Sequence, residues 1–471
     1  MAYHQRLSEI IENKREKIIK VSDQIWNYAE TGFEEFRSAK LLCETLEAEG
    51  FNVEKGVGNI ETAFIGSFGE GKPIFAFLGE YDALSGMNQT GGVPHCSQDD
   101  QGGAGHGCGH NLLGSGALAA AIAVRYYLEE NGLEGTVRYY GCPGEEIGGG
   151  KTFMVREGLF EDVDFALTWH PGTTNYVMSA TTLACNEVYF KFKGKSAHAA
   201  GSPHLGRSAL DAVELMNVGV NYLREHIIPE ARVHYAITNA GGSSPNVVQD
   251  NAEVLYFIRA PRVSEMEEIY LRICDVARGA ALMTGTEVEI DLASALSDVI
   301  PNTTIEKVMY DNFIALGMPE HSEEELEFAR AIRETLSEAD KKFDVQVNKQ
   351  LIGKDMADCL NPFVPAQAMP ISTDVGDVSW NTPTAQCMVA CEALGTPLHT
   401  WQIVATGTTS LAHKGMLHAG KVMAATAVEM LGNPELLEKA KEELIQRRNG
   451  ESYKSPLPED VKAYHVRQTI R

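Results

Sequence analysis

Apolar positions in the first fifty residues recur at helical spacing: Ile10, Ile11, Ile18, Ile19, Val21, Ile25 and Trp26. The run ends at Gly50, where "EGFNV" reads as a helix stop followed by a strand. "ETAFIGSF" and "KPIFAFLGEYD" have the apolar density of strands, and a glycine-rich loop follows from Gly86 to Gly109. "LLGSGALAAAIAVRYYLEENG" predicts a long helix of small residues with Gly132 as its stop. "GTVRYYGCPGEE" and "DVDFALTWHPG" are two further short strand patterns, each ending abruptly in polar residues. Strands alternating with helices predict βαβ units, hence an α/β domain with a mostly parallel sheet.

After Thr182 the pattern changes. "NEVYFKFKGKSAHAA", a helix from about Ser208 to Glu225, "VHYAITNAGG", "NAEVLYFIRAP", a helix from about Ser264 to Met283 and "TEVEIDLASA" give the order β-α-β-β-α-β. That order belongs to a ferredoxin-like α+β sandwich. The chain then returns to a helix over Asn302–Leu316 and to α/β patterns. The expected organisation is one α/β domain, residues 1–183 and 301–471, interrupted by a smaller α+β domain at 184–300. The basic stretch from "IQRRNG" to the C-terminus reads as a solvated tail.

Composition narrows the function classes. The chain has 471 residues, 44% hydrophobic and 22% charged, and a net charge of −25 from 40 basic and 65 acidic side chains. So acidic a protein repels phosphate backbones and anionic bilayers, which argues against nucleic-acid and membrane-surface roles. The charged N-terminus has no apolar core of a secretory signal, and no run of about 18 apolar residues occurs. Nine cysteines without a spacing framework suit reduced thiols and a cytoplasmic location.

Ligands of open α/β sheets gather at the carboxyl ends of the strands, and three strand candidates end there in metal-capable residues. One ends in Glu80 and Asp82, one in Glu145 and Glu146, and one in His170. "AGHGCGHNLLGSG" adds Cys108 and His110, which as residues i and i+2 of an extended turn can face one ion. Its other readings are a glycine-rich turn and a cysteine nucleophile. Of two adjacent carboxylates at a strand end, one can bind a metal while the other faces the water to be activated. "GTPLHTWQ" offers His399, and "SLAHKGMLHAG" offers His413 and His418 on a helix. In the inserted domain, His198 can donate to an oxyanion and Arg259 can grip a carboxylate in bidentate fashion.

Together, "LGEYDALSG", "GHGCGHNLLG", "YGCPGEE", "GKTFMVREG", "ALTWHP", "SPHLGRSALDAV", "STDVGDVSW", "GTPLHTWQ" and "AHKGML" resemble the aminoacylase/carboxypeptidase-type metallopeptidase family. The likeness is to its amidohydrolase branch, which includes hippurate hydrolase, and it covers nearly the whole chain. The resemblance implies two divalent metal ions, zinc or manganese, with Cys108, His110, Glu146, His170 and His399 as ligands. It makes Glu145 the general base and acid, and Asp82 the residue that orients a ligand. It makes His198 a catalytic and substrate-contacting histidine of a lid and dimerisation domain, with Asn246 and Arg259 as further substrate contacts. Two positions depart from the pattern: Asn111 stands where related hydrolases have Asp, and Glu80 where many members have a metal-binding histidine.

The expected activity is hydrolysis of the amide bond of an N-acyl or aminobenzoyl amino acid, with p-aminobenzoyl-glutamate foremost and dipeptides as the alternative. A non-catalytic partner subunit is the reading from another class. The resemblance implies a homodimer or a heteromer with a homologous subunit, acting on a small-molecule amide with neither nucleic acid nor membrane as partner.

Overall fold

The computed structural model describes residues 2–98 and 102–463. The chain divides into two compact units. The first comprises Met1–Ala180, Ile300–Ala368 and Val378–Tyr453; the second contains Thr181–Val299 together with Met369–Asp377 and residues 454–463.

The first unit is built on a seven-stranded sheet. Its order from one edge is Asn52–Lys55, Phe64–Glu70, Gly135–Cys142, Ile74–Glu80, Phe165–Gly172, Thr384–Ala390 and Tyr176–Val177. The four strands from Gly135–Cys142 to Thr384–Ala390 run parallel, and the strands that flank them, Phe64–Glu70 and Tyr176–Val177, are antiparallel to their neighbours. Parallel strands are covered on both faces and read as continuous apolar runs, and Phe75, Ala76, Phe77 and Leu78 are all fully buried. The predicted long helix forms over His110–Asn131 and closes at Gly132, whose φ is 58°. Its small residues let it lie close to the sheet. A Cβ on Gly116 would stand 2.7 Å from the Trp169 ring, and one on Gly114 2.6 Å from the Glu80 carbonyl oxygen. The helix that supplies His110 is thereby seated against the strands that end in Glu80 and His170.

The apolar spacing of the first fifty residues becomes three helices, Ala2–Asn13, Arg15–Tyr28 and Phe36–Ala48. Periodicity alone does not mark the breaks. The second falls where Ala29 and Phe33 take left-handed backbone angles of 44° and 59°.

The second unit holds a four-stranded antiparallel sheet in the order Glu287–Leu296, Ala184–Lys193, Asn251–Ala260, Arg232–Asn239. With the helices Ala209–Leu223 and Val263–Thr284 it follows the β-α-β-β-α-β order of a ferredoxin-like sandwich. Val188, Phe190, Val213, Met216, Val254 and Ile273 form its separate core.

The C-terminal stretch is not a solvated tail over the part described. Its "IQRR" ends the helix Pro434–Arg448, and Leu457 and Ala463 beyond it are buried. The apolar residues interleaved with the basic ones find cover; residues 464–471 lie outside those described. Among the described residues no helix is long and apolar enough to cross a membrane.

That C-terminal helix also supplies a testable cap. Glu443 accepts hydrogen bonds from the backbone N–H groups of Thr303 and Thr304, each at 2.9 Å, and from both hydroxyls, at the start of the helix Thr303–Leu316. Burial opposes its charge, but these bonds outweigh it and hold the carboxyl at about 2. A folded-state pKa below the ordinary value adds stability above that ordinary value and loses it as the pH falls through the folded one. Glu443→Gln is therefore expected to cost roughly 1–2 kcal/mol at pH 7 after allowance for partial exposure. Urea unfolding should find the two proteins converging as the pH falls from about 4.5 to about 2.

Candidate metal centre

The strand ends and the turn before the helix His110–Asn131 place their polar side chains on one rim of the first unit. Cys108, His110 and His170 form one group whose ligand atoms all lie within 4.8 Å of one another; Cys108, Glu146 and His399 form a second. The two groups share the Cys108 thiol. A third joins Glu80, His110 and Glu145.

Each histidine is oriented by a partner that can only accept. His110 Nδ1 donates to Asp82 Oδ1 at 2.8 Å, and His170 Nδ1 donates to the Pro171 carbonyl at 2.7 Å. The protons therefore sit on Nδ1, and both Nε2 atoms carry lone pairs toward the rim, as in sites where a carboxylate or carbonyl backs a ligating histidine. His170 Nε2 lies 3.4 Å from Cys108 Sγ, and the rings of His110 and His170 meet at 82° with centroids 5.6 Å apart. Asp82 also holds the next turn, because its Oδ2 accepts from the Glu146 backbone N–H at 2.9 Å. One buried carboxylate thus ties the helix start to the turn that bears Glu145 and Glu146.

His399 reaches the rim on a strained backbone. Its φ is 59°, a left-handed value that a β-carbon resists, and its N–H donates to the Gly107 carbonyl at 2.9 Å. Its Nε2 stands 3.5 Å from Glu146 Oε1. Burial would raise the Glu146 carboxyl, but His399 and the charge of His110 outweigh it and hold Glu146 at about 2. His413 does not share this rim: its Nε2 pairs with Asp23 at 2.9 Å. His106 turns away, with Nε2 on the Ile25 carbonyl at 3.1 Å, and burial lowers it to about 3.

The donor set fits a cation. His110 Nε2 and Glu146 Oε1 are buried without a hydrogen-bond partner among the described residues, a state costing about 1–3 kcal/mol per group unless a ligand satisfies it. Thiolate, imidazole and carboxylate together suit zinc and other divalent transition metals.

Glu80 has a partner the sequence did not announce. Its Oε1 takes the Lys151 ammonium at 2.7 Å, with both side chains buried, while its Oε2 stands 3.3 Å from His110 Nε2. Burial opposes ionisation of Glu80, but the Lys151 charge outweighs it and lowers its pKa. The only trace of this pair in the sequence is the lysine that closes "IGGGK".

His198, Asn246 and Arg259 belong to the second unit. His198 and Val247 form an isolated β-bridge, and the Ala199 N–H donates to the Asn246 carbonyl at 2.9 Å, so the two loops carrying His198 and Asn246 are neighbours. Arg259 lies opposite Cys185 and Arg232 in the sheet, with its Nε buried and without a hydrogen-bond partner among the described residues.

This rim and fold agree with what the chain resembles. It belongs to peptidase family M20/M25/M40, a family of metal-dependent hydrolases, whose profile matches residues 76–391. It is 51% identical to one of the two subunits of the p-aminobenzoyl-glutamate hydrolase of Escherichia coli, over 97% of this chain and 97% of that protein. It is 30% identical to the Xaa-Arg dipeptidase of Mus musculus, over 93% of this chain and 91% of that protein. Its fold is that of a dinuclear metal-binding peptidase of the M20 family from Bacillus subtilis, with a TM-score of 0.56 at 19% identity, over 89% of this chain and 99% of that one.

Proposed function

We infer that the protein hydrolyses the amide bond of N-acyl or aminobenzoyl amino acids, with p-aminobenzoyl-glutamate as its leading substrate. The observation that carries this reading is the sharing of Cys108 by two ligand groups, one with His110 and His170 and one with Glu146 and His399. These five residues would hold two divalent ions, zinc or manganese. When bound, such ions polarise an amide carbonyl and bring water within reach of deprotonation at neutral pH. Glu145, adjacent to the ligand Glu146, takes the proton from the attacking water and returns it to the leaving nitrogen. Asp82 keeps His110 in the tautomer that leaves Nε2 free. In the second unit, proposed as lid and dimerisation domain, His198 donates to the developing oxyanion, Asn246 contacts the substrate carbonyl, and Arg259 pairs with the free carboxylate.

Likeness to a protein named as a subunit supports assembly as a homodimer or with a homologous chain. All nine cysteines are free, which suits the reducing cytoplasm.

The substrate class is tested by supplying purified protein with zinc or manganese and measuring hydrolysis of p-aminobenzoyl-glutamate, hippurate-like acyl amino acids and dipeptides. The highest kcat/KM is expected on p-aminobenzoyl-glutamate. A preference for dipeptides ending in arginine would favour the activity named for the mouse relative. No hydrolysis of any member by the metal-loaded protein would favour a non-catalytic subunit.

A further inference from the structure

Gly32, Phe33, Glu34 and Glu35 lie far in sequence from every residue discussed above, yet this segment packs against the turn that bears Glu145 and Glu146. A Cβ on Gly32 would stand 2.5 Å from the Ile147 side chain and 3.0 Å from the Gly144 Cα, and one on Gly144 would stand 2.8 Å from the Phe33 ring. Phe33 holds a left-handed φ of 59° and Gly144 one of 65°. For a phenylalanine that conformation is strained and persists only where the surroundings impose it.

Glu35 is the polar end of this contact. It is the N-cap residue of the helix Phe36–Ala48, but its side chain makes no capping hydrogen bond. The carboxyl instead turns to the rim, where Oε1 accepts from the Gly144 N–H at 2.8 Å. Oε2 is buried and has no hydrogen-bond partner among the described residues. On the other side of Glu145, Asp82 accepts from the Glu146 N–H at 2.9 Å. The backbone that carries Glu145 is thus held before and after it by one buried carboxyl each.

We propose that Glu35 is a positioning residue for Glu145, fixing through Gly144 the turn from which Glu145 reaches the reacting water. The proposal rests on the reading of Glu145 as the proton carrier. Glu35 itself moves no proton in the reaction; its work is to accept one hydrogen bond. Burial, and after it the charge of Asp82, push its carboxyl well above the usual range, so a neutral amide is a fair replacement.

The test compares three variants in the metal-loaded and metal-free protein. Glu35→Gln keeps an oxygen for the Gly144 N–H. Glu35→Met removes it, and Glu35→Asp shortens its reach and serves where the methionine variant does not fold. The expected kcat is within about threefold of wild type for Gln, lowered about 10-fold for Asp and about 10²-fold for Met, the scale of a small misplacement of a reacting group. KM and the number of bound zinc ions should stay at their wild-type values throughout. Hydrogen exchange in the metal-free protein should quicken in the turn around residues 143–147 in the Asp and Met variants and return to wild type in Gln.

A wild-type kcat in the folded Met or Asp variant overturns the proposal. So does zinc lost in step with kcat, or a Gln variant as impaired as Met. Glu145→Gln, run alongside, separates this inference from the reading beneath it. Wild-type kcat in that variant removes the proton carrier itself, whereas an inactive Glu145→Gln beside an unimpaired Glu35 variant refutes only the clamp.

Discussion

Replacement of Glu145 by glutamine is expected to lower kcat for amide hydrolysis by about 10³-fold, within the range general acid–base catalysis contributes. Bound metal and thermal stability should remain as in the wild type. An amide of the same shape can neither accept the proton of the attacking water nor return it to the leaving nitrogen. The variant also separates two roles that the structure leaves adjacent, because Glu145 falls in one group with Glu80 and His110. If it were a ligand, the variant would bind fewer ions. Kinetics together with metal content by elemental analysis distinguishes the two: a dead enzyme with full metal supports the proton carrier, and loss of an ion makes Glu145 a ligand.

The second large effect is expected at Cys108. Its sulfur belongs to two of the three candidate ligand groups, so Cys108→Ala should weaken both at once. Loss of an outer partner typically costs 10–100-fold in metal affinity, and loss of a shared ligand should exceed about 10²-fold. Equilibrium competition with a chromogenic chelator measures it. The nucleophile alternative predicts unaltered metal binding with activity abolished. The environment argues against it: the thiol is buried, and burial pushes its pKa up rather than down, whereas a reactive cysteine needs an exposed setting that favours thiolate.

Much of this site was legible because its residues sit at strand ends and in a short motif. Glu145, Glu146 and His170 each follow an apolar strand run, and Cys108-Gly-His110 precedes a helix whose small residues announce close packing. The helix and strand order of the second unit was legible for the same reason, since its alternation and caps are local. What was not legible depends on contacts between distant segments. Lys151 meets Glu80 only after the chain has added a helix and a strand to the sheet between them. Glu35 and Gly144 are 109 residues apart, and the N-cap position of Glu35 suggests an ordinary helix start. His399 and His413 could not be separated by spacing. One is held at a left-handed φ and faces Glu146, and the other is taken by Asp23. The break between the second and third helices escaped periodicity because the residues at 29 and 33 that mark it are not glycines.

Metal removal and restoration on the wild-type protein test the central claim most directly. The protein is stripped with a strong chelator, p-aminobenzoyl-glutamate hydrolysis is measured, and zinc or manganese is then added back while bound ions are counted. The account predicts that activity disappears with the metal and returns as two ions per chain are restored, with Cys108→Ala failing to recover. Hydrolysis that persists in the metal-free protein and is lost in Cys108→Ser would contradict it and make Cys108 the nucleophile.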